Sequence, residues 1–110
     1  MTRRRVLLLG VARGALRALV ADVLGELGVD LTEDLDAEPP DAVLVLVDRR
    51  DLGAHVRDAQ DIGAPVVAMV DSDDDLLIER VRRAGVRNIY ALGRPLAELQ
   101  AAVERSLLSC

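Results

Sequence analysis

The sequence predicts a three-layer α/β domain, a parallel five-stranded sheet with helices on both faces. Two observations predict it. Short unbroken apolar runs alternate with segments whose leucines and valines recur at three-and-four spacing. Three of those helical segments close on a glycine, at Gly28, Gly63 and Gly85, which is the residue that ends a helix at least cost. Such alternation implies a sheet buried on both sides and joined by right-handed crossovers.

The elements follow in order. Residues 5–9 form an apolar run ending at Gly10 and read as a strand. Leu16, Leu19, Val20, Val23, Leu24 and Leu27 mark one face of the next helix. Residues 29–31 read as a short strand. Residues 32–40 are acidic and end in Pro39-Pro40, too short and polar for a full crossover helix, so a loop with at most one helical turn is expected. Residues 42–47 form the strongest strand. Leu52, Val56, Ala59 and Ile62 mark the following helix, and Pro65 opens a strand over 66–70. Ser72 is a suitable N-cap, with Asp73, Asp74 and Asp75 in the first turn of its helix, where they favour the positive end of the dipole. Leu77, Val81 and Ala84 face inward there. Residues 86–92 give the fifth strand. Pro95 opens a last helix with Leu96, Leu99, Val103 and Leu107 inward. No linker or repeat divides the chain, and residues 1–110 read as one domain.

Composition narrows the function. Hydrophobic residues make up 51% of the 110 residues, enough for a core, but aromatics only 1%, Tyr90 alone. Single-stranded nucleic acid asks for stacking platforms that this chain lacks. The net charge is −5, the wrong sign for duplex binding, and the Arg3-Arg4-Arg5 run reads as a solvated end. No direct nucleic-acid partner is expected. All 14 basic residues are Arg, which excludes lysine Schiff-base chemistry. One cysteine, Cys110, allows no internal disulfide or cysteine metal cluster and fits a reducing cytoplasm. The opening residues resemble a twin-arginine export signal, but Arg13, Arg17 and Asp22 interrupt the apolar run. No membrane association is expected.

In open parallel sheets ligands gather at the carboxyl ends of the strands. Here those ends supply Gly10, Val11, Arg13, Asp48, Ser72 and Arg94. Asp48 could accept a phosphoryl group or hold a metal, but a lone carboxylate is a poor magnesium site, and a helix cap or a salt bridge to Arg49, Arg50 or Arg94 is the plainer reading. Gly10 and Gly14 could cradle a phosphate at a helix N-terminus, yet they match neither the dinucleotide fingerprint nor the Walker loop. His55 has no serine or cysteine obviously partnered with it. The Asp73–Asp75 run lacks the spacing of a calcium loop. No metal, cofactor or catalytic residue is assigned.

Several residues, in order, resemble a response-regulator receiver domain. Pro40-Asp41 precedes the central strand, as in that family. Pro65-Val66-Val67-Ala68-Met69 resembles its fourth strand. Ala84-Gly85, Tyr90 and Arg94-Pro95 resemble the series around its fifth. The resemblance implies a flavodoxin-like (CheY-like) fold with strand order 2-1-3-4-5, its second helix shortened or missing. The departures are chemical. Gly10 and Val11 stand where receivers carry an acidic pair for magnesium. The phosphoacceptor position falls on Leu46, two residues before Asp48. The Thr/Ser position falls on Val70, two before Ser72, and Arg94 matches the lysine. The resemblance is therefore to an atypical, pseudo-receiver type with a degenerate pocket.

That resemblance implies a cytoplasmic, bacterial signalling or transcription-regulating module, not an enzyme, that acts by binding protein. Receivers use the fourth helix, fifth strand and fifth helix as a partner or dimer face. Helical geometry turns Glu79, Arg82 and Arg83 outward on one helix here, and Glu98 and Arg105 on the other, with Tyr90 nearby on the strand. The partner is another protein or a second copy in a homodimer. Two alternatives stay open: a flavodoxin-like nucleotide- or phosphate-binding protein or enzyme using the Gly10–Gly14 turn, and an active receiver phosphorylated on Asp48.

Overall fold

The computed structural model describes residues 4–9, 15–32, 40–47, 52–70 and 75–108. Its elements are β1 (Arg5–Leu9), α1 (Ala15–Glu26), β2 (Asp30–Thr32), β3 (Ala42–Val47), α2 (Leu52–Asp61), β4 (Val66–Val70), α3 (Asp75–Arg83), β5 (Asn88–Ala91) and α4 (Leu96–Leu108). The five strands form one sheet in the order β2-β1-β3-β4-β5. Every neighbouring pair is parallel, with Leu7 opposite Val43, Leu44 opposite Val67 and Met69 opposite Tyr90. This is the predicted α/β architecture and strand order. The predicted loop between β2 and β3 falls on residues 33–39, outside the described residues.

The period of two along each strand divides the core into two layers. Val6, Leu8, Leu44, Val67 and Met69 face one side, where Val20, Val23 and Leu24 of α1 and Leu99, Val103 and Leu107 of α4 cover them. Leu7, Val43, Val45, Val47, Ala68 and Val70 face the other, under Val56 and Ala59 of α2 and Leu77 and Val81 of α3. Burying each such aliphatic side chain contributes about 1.5–3 kcal/mol. With almost no aromatic volume available, many small interlocking aliphatics fill both layers.

Asp41 shows what the Pro-Asp pair does locally. Its Oδ2 accepts the backbone N–H of Arg5 at 2.8 Å, and its own N–H donates to the Arg5 carbonyl at 2.9 Å. The reciprocal pair fixes where the connection enters β3 beside β1.

Three inward assignments are corrected. Leu19 is 38% exposed, because it lies about 90° around α1 from the centre of the buried stripe at 3.6 residues per turn. Leu96 is 39% exposed. It is the first residue of α4, and helical side chains lean toward the N-terminus, where here no earlier turn lies beneath it. Ala84 is exposed because α3 ends at Arg83 and the helical period does not reach it. The short second strand is displaced by one residue from 29–31, and the fifth is limited to Asn88–Ala91. The side chains of Leu16 and Leu52 lie outside the described residues.

At the amino end of the sheet, α2 and α3 are clipped together. Gln60 Nε2 donates to the Ala84 carbonyl at 2.6 Å. Gly85 follows with φ 101, a left-handed conformation, and a Cβ there would stand 3.2 Å from that same amide nitrogen.

Candidate functional site

The strand ends that would carry chemistry are only partly described. Gly10, Val11, Arg13, Gly14, Asp48, Ser72, Asp73, Asp74 and Cys110 lie outside the described residues. His55 lies within α2. What the structure describes at the carboxyl end is the turn from β5 into α4, and it is closely tied.

Gly93 makes the turn with φ 96, open to glycine and strained for other residues. The Arg94 N–H donates to the Ala91 carbonyl at 3.2 Å. The Tyr90 hydroxyl donates to the Arg94 carbonyl at 2.6 Å. Pro95 opens α4, and its carbonyl accepts the Glu98 N–H at 3.0 Å. Backbone and side chain thus hold Arg94 in one place.

The Arg94 guanidinium pairs with Glu98, four residues on. Nε reaches Oε2 at 2.7 Å and Nη2 reaches Oε1 at 3.3 Å, the fork geometry arginine makes with carboxylates. The hydrogen bond from Arg94 holds the Glu98 carboxyl below its ordinary range, with desolvation opposing and the arginine charge assisting. Burial pushes the Tyr90 phenol up, and the nearby Glu98 charge pushes it the same way.

Tyr90 requires a correction. The expectation placed its ring beside the outward charges as part of a partner face. It is 3% exposed and packs in the core layer with Met69, Leu99 and Val103. Side chains alternate along β5, and Tyr90, opposite Met69 of β4, falls with it on the α1/α4 side. Its hydroxyl serves the turn. The remaining residues of that expected face, Glu79, Arg82, Arg83, Glu98 and Arg105, are all exposed. Glu79 and Arg83 pair at 2.9 Å across one turn of α3. Asp75, Ile78, Glu79, Arg82 and Arg83 line an open groove of about 630 Å³ along that helix.

Two polar residues were missed in the sequence. Ser106 is 1% exposed; its hydroxyl donates to the Ala102 carbonyl at 3.1 Å and accepts from Asn88 Nδ2 at 2.9 Å. The available signal was its place on the inward stripe with Leu99 and Val103, where a serine needs a partner.

No family model matches the sequence, and no curated protein matches it. Solved structures do. The BeF3-activated N-terminal receiver domain of Klebsiella pneumoniae RstA matches with a TM-score of 0.74 at 21% identity, over 96% of this chain and 100% of that one. The chain has the receiver fold. A response regulator CheY-like protein of Mesorhizobium loti matches with a TM-score of 0.72 at 19% identity, over 96% and 99% of the two chains. A CheY-like protein (tadZ) of Pseudomonas aeruginosa matches with a TM-score of 0.71 at 21% identity, over 94% and 98%. Among the described residues of this receiver fold, no helix is long and apolar enough to cross a membrane.

Proposed function

We propose that this chain is a pseudo-receiver, a protein-interaction module of bacterial signalling that works without phosphoryl transfer. The observation that carries the reading is the Arg94–Glu98 fork. Arg94 stands where the resemblance puts the receiver lysine, and its guanidinium pairs at 2.7 Å with Glu98 in the first turn of α4. Phosphoryl transfer is mainly the positioning of charge around a metal. The donor set does not fit that metal. Gly10, Val11 and Leu46, at the matched positions, have no side-chain oxygen, and the nearest carboxylate in sequence, Asp48, stands two residues past the phosphoacceptor position.

What remains for the domain to offer is surface. The outward charges of α3 and α4, Glu79, Arg82, Arg83 and Arg105, form a mixed-sign face suited to a folded protein partner. Leu76 adds an apolar contact at 71% exposure beside them.

Incubation with acetyl phosphate and magnesium, followed by intact-mass measurement, tests it. The mass is expected to stay unchanged. A phosphoryl adduct that Asp48→Asn abolishes would make the chain a working receiver instead.

A further inference from the structure

A second feature lies at the opposite end of the sheet from the Tyr90–Arg94 turn. A hollow of about 300 Å³ opens between the end of α1, the start of β2 and the last turn of α4. Leu27, Val29 and Leu107 give it an apolar lining. Leu108 stands on its edge and is 74% exposed, although Leu107 beside it is only 7% exposed. Among the described residues, the rim carries two exposed charges of opposite sign, Arg4 and Glu104. Arg4 is anchored across the mouth, its Nη1 donating to the Leu107 carbonyl at 3.1 Å.

We propose that this face is an interface between two copies of the chain. A two-fold contact must be self-complementary, because each patch meets its own copy. This patch has both halves of such a contact. An apolar knob, Leu108, stands beside an apolar hollow, and a cation stands beside an anion. Turned about a two-fold axis, each Leu108 enters the other copy's hollow, and each Arg4 meets the other's Glu104. A rim of one sign would repel its copy; this one attracts it and offsets, at short range, the repulsion between two chains of net charge −5. Apolar surface rimmed by charge is the ordinary mark of such a contact. The pairing leaves the charged face of α3 and the carboxyl end of the sheet open to a different partner.

Sedimentation velocity across a micromolar-to-millimolar concentration series tests the proposal, with thermal melts confirming that each variant is folded. The wild-type chain is expected to pass from monomer to dimer. Leu108→Glu is expected to weaken the dimer about tenfold or more. Arg4→Glu and Glu104→Arg should each weaken it, and the two together should restore it, since the swapped charges still face each other. A chain that stays monomeric throughout overturns the proposal. So does a dimer insensitive to Leu108→Glu, or one that Arg83→Glu on α3 dissolves in its place. Failure of the swap to restore pairing overturns the assigned geometry.

Discussion

Asn88 on β5 and Ser106 on α4 share a hydrogen bond of 2.9 Å within the aliphatic core, and Ser106 passes it on to the Ala102 carbonyl at 3.1 Å. The link fixes how α4 lies along the edge strand.

Ser106→Ala removes the acceptor and leaves the Asn88 amide half-buried without it. The loss is expected to be about 1–2 kcal/mol in urea unfolding. Asn88→Ala combined with Ser106→Ala should cost clearly less than the sum of the single changes, because both act on one bond.

Gly85→Ala places a side chain at φ 101 and 3.2 Å from Gln60 Nε2. A destabilisation of about 1–3 kcal/mol is expected. Gln60→Ala removes the clip to the Ala84 carbonyl but strains nothing, and about 0.5–1 kcal/mol is expected. Equal losses for the two would mean that the backbone conformation is not what Gly85 supplies.

Glu98 titrates below the ordinary carboxylate range because Arg94 donates to its charged form. A depressed folded value gives stability that is present above the unfolded value and is lost as pH falls through the folded one. The carboxyl carbon shift of Glu98, followed by NMR, should therefore move at lower pH than that of a free glutamate side chain. Arg94→Met should return it toward the ordinary range. High salt should narrow the difference, since the pair is exposed.

Tyr90 is the sole tyrosine of a chain without tryptophan, so its ultraviolet titration is read without interference. Burial raises its folded value. Stability is then full below the unfolded value and is lost as pH rises through the folded one. Ionisation is expected only at alkaline pH above the free phenol, together with unfolding. Tyr90→Phe, which frees the Arg94 carbonyl, should cost about 1 kcal/mol.

These residues show where the sequence was readable. Val43, Leu44 and Val45 sit in an unbroken apolar run, and only a strand covered on both faces buries all three; Leu44→Ala is expected to cost about 2–5 kcal/mol. Gly85 ended its helix as read, because a left-handed position leaves few other residues. Leu19, Leu96 and Ala84 were misplaced because periodicity gives a stripe but neither its width nor the helix limits. Tyr90 was misplaced for a related reason: the short strand β5 is packed on both sides, with Tyr90 in one core layer and Ala91 in the other, so no polar alternation marked its ring as buried. The Arg94–Glu98 fork was within reach as an i,i+4 pair at a helix start, whereas the Asn88–Ser106 bond needed β5 and α4 set side by side.

The pseudo-receiver reading is tested most directly by two-dimensional amide NMR of the labelled protein, titrated with magnesium and beryllofluoride. The account expects the amides of Asp48, Ser72 and the β5–α4 turn to keep their positions, and Arg94 to stay on Glu98. Saturable shifts at Asp48 together with release of Arg94 from Glu98 would contradict it.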